Sequence, residues 1–483
     1  MISLIAFRNI VYRPWRSALL FFGYGIGVAV MIVLLSVGEA LLTQARDEKL
    51  VGGGEVTVLP QGLDVEVMKT GGVGGLFFSI DQSRFIYDQL LASPRLARSI
   101  NAVAPQIDGR LLYVRTVDGA EHPVKAGGEI PSKTRLVRGS LALASGEWND
   151  DNGDRRWSTP TIEELRHDMD HFHLPPDSVS NRETWAEWHY FNVLSADGKR
   201  WAFISFIVAG DVTSEKWGGS VTVTLREQEK LSQKFESKIP RRDVRFSTTS
   251  ANLSLGNSTV TVLPDGNYRV IATAGQLDVD LVVRPAPRAY FPGASLGTEG
   301  FVSGYTVPGL RASATGSICV ASRCERYRDA QAYHDHNWGV WKGVTWDWGA
   351  ARAGPYTILY GRVISPDATR EQPLFVYLVD SLGFRAVMRP ATISYQDGRA
   401  ATVAGRQLRV PSRATFADVR GADTLRVELS IDDAIATDMR QSIESVSFGG
   451  PYFIQMKGTA TISGRLGGEP VSGSGTGFFE TYR

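Results

Sequence analysis

The stretch from Ser17 to Val37, built around Leu-Leu-Phe-Phe-Gly-Tyr-Gly-Ile-Gly-Val-Ala-Val-Met-Ile-Val-Leu-Leu, carries no charge and is long enough to cross a bilayer as a helix. No second uncharged run of that length follows, and the apolar stretches Trp201 to Val208 and Leu374 to Val379 are strand-sized. Arg8, Arg13 and Arg16 precede the run, and Glu39 is the first charge after it. The positive-inside bias then predicts a single-pass inner-membrane protein, with residue 1 cytoplasmic and the bulk periplasmic or extracytoplasmic. The rival is a cleaved signal peptide, but the run exceeds a usual h-region and no clear small-x-small site follows it.

Beyond the helix, charge excludes one class of partner. Lys+Arg number 52 and Asp+Glu 51, which leaves no electrostatic footprint for nucleic acid. A chain of 483 residues is too long for one core, so two or three folded units are expected.

Their type is set by repeated hairpins. Trp188 to Ser195, an Asp197-Gly198 turn and Trp201 to Val208 form one; Ser258 to Leu263, Asp265-Gly266 and Tyr268 to Thr273 form another. Leu277 to Val283, Leu425 to Ile431 and Tyr452 to Ser463 add strands, and Gly467-Gly468 offers a further turn. This pattern predicts antiparallel β units of barrel or sandwich type. Residues 125 to 160 lapse into Gly, Ser, Asp, Asn and Arg and read as a linker. The expected layout is a cytoplasmic end over 1 to 16, a transmembrane helix over 17 to 38, a small extracytoplasmic α/β segment over 39 to 124, the linker, and β units over 161 to 330 and 331 to 483.

Cys319 and Cys324, the two cysteines, flank four residues in what reads as a hairpin. In an oxidising compartment they can pair across the strands. Two free thiols are the alternative, and no second Cys pair exists to complete a structural zinc site.

Chemistry concentrates in residues 331 to 348, which gather Tyr333, His334, Asp335, His336, Asn337, Trp338, Trp341, Trp346 and Trp348. If 332 to 338 is extended, Tyr333, Asp335 and Asn337 share one face and His334, His336 and Trp338 the other. A metal is the competing reading of the histidines, with His167, His171 and His173 as supplementary ligands. Asp335, however, falls on the opposite face and no carboxylate follows at cupin spacing, so no metal is expected. The His167 to His173 segment, with Asp168 and Asp170, reads most simply as a solvated stretch or a lid.

Two resemblances add to this reading. Arg8-Asn9-Ile10-Val11-Tyr12-Arg13-Pro14-Trp15-Arg16, Gly25-Ile26-Gly27-Val28-Ala29 and Gly54-Glu55-Val56-Thr57-Val58-Leu59-Pro60, with the stretch from Ser83 to Ile107, resemble the start of FtsX-like permeases of macrolide-export ABC transporters. That likeness covers roughly the first quarter of the chain and implies ABC transporter subunits as partners. A one-helix chain departs from the family and cannot form a conduction path alone.

Trp185-Ala186-Glu187-Trp188-His189-Tyr190-Phe191-Asn192, then Tyr333-His334-Asp335-His336-Asn337-Trp338-Gly339 with Trp346-Asp347-Trp348, and the closing Gly473-Ser474-Gly475-Thr476-Gly477-Phe478-Phe479-Glu480 resemble the carotenoid 1,2-hydratase (hydroxyneurosporene synthase) family and its AttH-like, lipocalin-like relatives. The resemblance spans about residues 160 to 483. It implies two lipocalin-like antiparallel barrels in tandem, an apolar ligand such as a terpenoid or lipid, and no cofactor. From the family's Tyr-x-Asp motif, Asp335 is expected as proton donor and Tyr333 as its orienting partner. The family's upstream His and Trp have no counterpart in Ser303 to Pro308.

The chemistry is demanding. Protonating an isolated alkene makes a tertiary carbocation, which requires a carboxyl kept protonated by burial and ring faces to stabilise the cation. Trp188, Tyr305, His334, His336, Asn337, Trp338, Trp346 and Trp348 are the expected substrate contacts. Glu187 and His189, sharing a face on their strand, are expected to orient water or accept a proton in a second step. A purely structural role for the block, with the rings as core and Asp335 bonding a turn, is the alternative. At the level of the whole protein, an olefin hydro-lyase or isomerase stands against a lipid-binding component of an exporter.

Overall fold

The computed structural model describes residues 12, 14–47, 80–91, 93–139, 141, 148–177, 179, 181–228, 230–298, 301–364, 374–403, 406–438 and 452–482. The Gly54 to Pro60 motif lies outside them. They divide into two compact units, one of Met1–Phe78 with Asn101–Asp151 and one of Ser79–Ile100 with Asn152–Arg483.

In the first unit a helix runs from Pro14 to Asp47, and its segment Pro14–Val37, which contains an 18-residue window of mean hydropathy 2.5, is long and apolar enough to cross a membrane. None of the residues in that window is buried. The same unit holds a hairpin of Gln106–Arg115 and Glu121–Glu129 and a helix Pro131–Arg138 that ends on Gly139 in the left-handed region. The stretch read as a linker therefore includes the end of a strand and the helices Pro131–Arg138 and Asn152–Ser158.

The second unit is mainly β, as the hairpin pattern predicts. Among the described residues, two antiparallel sheets, one of 12 strands and one of 9, each enclose their own apolar core. In the first sheet, Trp185–Leu194 pairs with Arg200–Gly210 through the Asp197-Gly198 turn, where Gly198 has φ 71° and the Asp197 carboxylate accepts from the Lys199 N–H. Alternate residues of these strands (Phe191, Val193, Ile204, Phe206) point into the core with Leu255, Tyr268, Leu277 and Leu281 from the opposite wall, so the sheet rolls onto itself like a barrel. The second sheet does the same around Tyr360, Phe416, Leu429, Ile454, Met456 and Phe479.

The boundary between the sheets falls later than composition indicates. The strand Arg323–Val340 belongs wholly to the first sheet, between Phe301–Val320 and Trp185–Leu194, and the second sheet opens at Thr345–Ala353. Residue 331 is mid-strand, and the Tyr333 to Trp348 block spans both sheets because its two halves are strands of different barrels. Cys319 and Cys324 stand opposite each other in the Phe301–Val320 and Arg323–Val340 ladder and are disulfide-bonded. Pro308, which can donate no ladder bond, sits at a bulge between Thr306 and Gly309.

A third apolar cluster forms where the sheets meet. Tyr190, Trp201, Phe203, Tyr305 and Tyr333 from the first pack against Trp348, Leu359, Tyr377 and Phe478 from the second. Arg226 and Asp433 bridge the sheets by a bidentate pair at 2.8 Å. Two glycines permit the closest ring packing: a Cβ at Gly304 would land in the indole of Trp338, and one at Gly361 in that of Trp348.

Candidate functional site

The strand Arg323–Val340 separates two polar clusters. Period-two alternation sends Tyr333, Asp335 and Asn337 toward the seam between the sheets, and His334 and His336 into the first barrel. Both faces are buried, so this strand carries a continuous buried run rather than alternating polar residues.

On the seam side, Asp335 is 3% exposed. Trp348 Nε1 donates to the Tyr333 hydroxyl at 2.8 Å, and that hydroxyl donates to Asp335 Oδ2 at 2.7 Å. Asn337 Nδ2 donates to Asp335 Oδ1 at 2.7 Å. Among the described residues no Lys or Arg forms an ion pair with this carboxyl. A second acid completes the seam. Glu480 Oε2 accepts from Trp346 Nε1 at 3.0 Å, and Glu480 is hydrogen-bonded by Tyr190, whose hydroxyl in turn accepts from Gln455 Nε2 at 2.8 Å. Register explains the convergence: Tyr190 stands opposite Asp335 in the first sheet, while Trp348 and Gln455 both stand opposite Glu480 in the second.

Burial dominates the electrostatics. It pushes the Asp335 carboxyl up to about 8 against the lowering effect of the Tyr333 and Asn337 hydrogen bonds, with the Glu480 charge adding to the rise. Burial also raises Glu480, and Tyr333 is held well above the usual phenol range by burial and by the Asp335 charge. An acid that is neutral at pH 7 and surrounded by indole and phenol rings can donate a proton to an apolar guest and stabilise the resulting cation.

Inside the first barrel the groups are different. A helix, Ile162–Met169, starts in a capping box in which Thr161 Oγ1 accepts from the Glu164 N–H and Glu164 Oε2 accepts from the Thr161 N–H. It ends by delivering Asp170 to the barrel interior, where the residue is fully buried. There Tyr268 donates to Asp170 Oδ2 at 2.6 Å, His336 Nδ1 lies 2.6 Å from Oδ1, and His334 Nε2 lies 3.4 Å from Oδ2. Glu187 accepts from the His173 backbone N–H at 2.9 Å. His336 Nε2 approaches Glu187 Oε1 to 3.0 Å, off the line of a hydrogen bond. Burial disfavours the His336 cation, but Asp170 and Glu187 outweigh it and raise the imidazole to about 9; burial likewise opposes the Asp170 anion, which the His334 and His336 hydrogen bonds nevertheless hold well below the usual carboxylate range.

The structure thus splits the expected site residues. Tyr333, Asp335, Asn337, Trp188, Tyr305, Trp346 and Trp348 lie on the seam side. Glu187 and His189 do not join them: Glu187 pairs with Trp338 and His189 with His336 across the ladder, which places both in the barrel, as period-two geometry demands. They cannot hand a proton to a guest at Asp335 without crossing the sheet. His334, His336 and Trp338 share that other face, Trp338 stacking on His173 at 3.7 Å between ring centroids. The His167 to His173 segment is solvated at His167 and Asp168, but its Asp170 and Phe172 are core residues.

Tyr190, Gln455 and Glu480 were missed as seam residues. Tyr190 and Glu480 lie within the quoted motifs, and the i, i+2 alternation from Trp188 was the available signal for Tyr190; nothing local marks Gln455.

Fold and site together define the class: two antiparallel barrel-like sheets in tandem, with a buried acid among aromatic rings where they meet. No protein-family model matches the chain, and no curated protein does. Among solved structures it is similar to a protein described as AttH from Nitrosomonas europaea, at 18% identity and a TM-score of 0.44, covering 65% of this chain and 98% of that one. It is also similar to kievitone hydratase from Nectria haematococca (14%, TM-score 0.40, covering 65% and 94%) and to CghA with Sch210972 (15%, 0.42, covering 66% and 96%).

Proposed function

We propose that this chain is a membrane-anchored hydro-lyase or isomerase that protonates an olefin of terpenoid type, with Asp335 as the acid and Tyr333 as its orienting partner. The observation that carries the reading is geometric. A buried carboxyl, unpaired with Lys or Arg among the described residues, is fixed by a phenol and an amide and enclosed by the rings at the seam. Trp348 holds the Tyr333 hydroxyl, which leaves that hydroxyl's proton directed at Asp335. Hydration forms a C–H bond from the Asp335 proton and a C–O bond from water, with the water's second proton returning to the carboxylate, so atoms balance without a redox partner. Isomerisation returns a different proton from carbon instead. Glu480, the second buried acid of the seam, supports the reading by discouraging ionisation of Asp335.

The test uses the full-length chain in detergent with acyclic terpenoid olefins in deuterated water. Deuterium incorporation that falls by about 10² to 10⁴-fold in Asp335→Asn supports the proposal. No incorporation by the unmutated chain, with equally tight olefin or lipid binding by both proteins, overturns it in favour of a carrier.

A further inference from the structure

The polar chamber of the first barrel is not used by that chemistry, and its hydrogen bonds do not close. Asp170, His189 and His336 are fully buried and place one ligand atom each within 4.8 Å of the others. His189 Nε2 lies 3.0 Å from the carbonyl oxygen of Ala251. A carbonyl only accepts, so Nε2 carries the proton and Nδ1 keeps its lone pair. Among the described residues that Nδ1 has no hydrogen-bond partner, and it faces Asp170 Oδ1 at 3.9 Å. His334 sits between two acceptors, its Nδ1 3.1 Å from the carbonyl oxygen of Tyr190 and its Nε2 3.4 Å from Asp170 Oδ2, and a neutral ring can donate to only one of them.

Imidazole lone pairs aimed at a buried carboxylate repel it unless a cation lies between them. Ring nitrogens whose opposite N–H is tied to a backbone carbonyl are the arrangement metal sites use to fix tautomer and direction. From this geometry we infer that the first barrel binds a divalent transition metal ion of the zinc type, through Asp170, His189 Nδ1 and His336. His334 Nε2 borders the ion, and Tyr268 orients the Asp170 carboxylate. Nitrogen and carboxylate donors in this ratio suit zinc, cobalt or iron rather than calcium or magnesium. Asp170 and Glu187 balance the double charge, and the proton now between His336 Nδ1 and Asp170 Oδ1 leaves to solvent when the metal enters. The ion lies across the sheet from Asp335, so the inference stands independently of the olefin chemistry.

The experiment takes the untagged full-length chain in detergent, strips it with a chelator and titrates it with Co²⁺ and, separately, Zn²⁺. Expected are one ion per chain, visible Co²⁺ absorption of a nitrogen-ligated site, and a Zn²⁺-dependent rise in Tm. His189→Ala weakens binding about a hundredfold, a loss of the order seen when ligand geometry is disturbed. His336→Gln does so independently, while Asp335→Asn and the exposed-histidine control His122→Ala leave binding unchanged. Absence of both the Co²⁺ spectrum and the Tm rise in the unmutated chain overturns the inference. So does a spectrum that survives in His189→Ala or His336→Gln.

Discussion

Asp335 shows how an ordinary residue acquires unusual chemistry from its surroundings. Its two hydrogen bonds favour the anion, yet loss of water disfavours it more, and the Glu480 charge from the facing sheet adds to that, while His336 across the strand pulls the other way. The donor is competent only when protonated, so turnover should be flat below about 8 and fall about tenfold per unit above it. A pH-rate profile that instead rises through that range would remove Asp335 as the acid. The sign for stability agrees. The folded carboxyl holds its proton up to about 8 while the unfolded one releases it near 3.8, so this group's contribution to stability declines as pH rises through that window. Asp335→Asn should therefore flatten the decline in a urea-melt series measured across it. Tyr333→Phe keeps the ring and deletes the hydroxyl that joins Trp348 to Asp335. It is expected to slow turnover by about 10 to 10²-fold with little change in KM, because orientation rather than binding is lost.

At the scale of elements, the helix Ile162–Met169 matters because of where it ends. Its capping box fixes the first turn, and its last turn places Asp170, whose N–H bonds the Arg166 carbonyl, among the barrel histidines. Thr161→Ala should lower stability by about 1 kcal/mol, read by thermal melting, and should raise amide exchange across 162 to 170 ahead of the rest of the chain. The strand Arg323–Val340 carries opposite constraints on its two faces, and its register depends on small residues. Gly304→Ala would press a methyl into the Trp338 ring and is expected to destabilise by about 1 to 3 kcal/mol, visible as a lowered denaturant midpoint at constant m. Such patterning was readable beforehand. Hairpins at Asp197-Gly198 and Asp265-Gly266 announce themselves because those turns need φ above zero and flank apolar alternation. Gln455 gave no such sign, because a polar residue in an alternating strand reads the same whether its face meets water or a second sheet.

For the whole molecule, the seam exists because each barrel also has an apolar outer patch, and the two patches bury each other. Arg226 and Asp433 lock that contact with two parallel hydrogen bonds in a half-buried setting. Asp433→Ala is expected to cost about 2 kcal/mol and to loosen the seam, detected as faster amide exchange around Tyr190 and Trp348. Local sequence by itself determined that an uncharged helix long enough to cross a membrane precedes the β units, that antiparallel strands build those units, and that Tyr333 and Asp335 share a face opposite His334 and His336. These follow from short-range physics: charge, turn geometry and a side-chain period of two. Only the tertiary structure decided that Glu187 and His189 stand on the histidine side, that Glu480 comes from the far end of the chain to meet Asp335, and that Asp170 is the hub of a buried chamber. The reason is that strand partners and sheet closure join residues far apart along the chain, and no local pattern encodes which face will meet which neighbour.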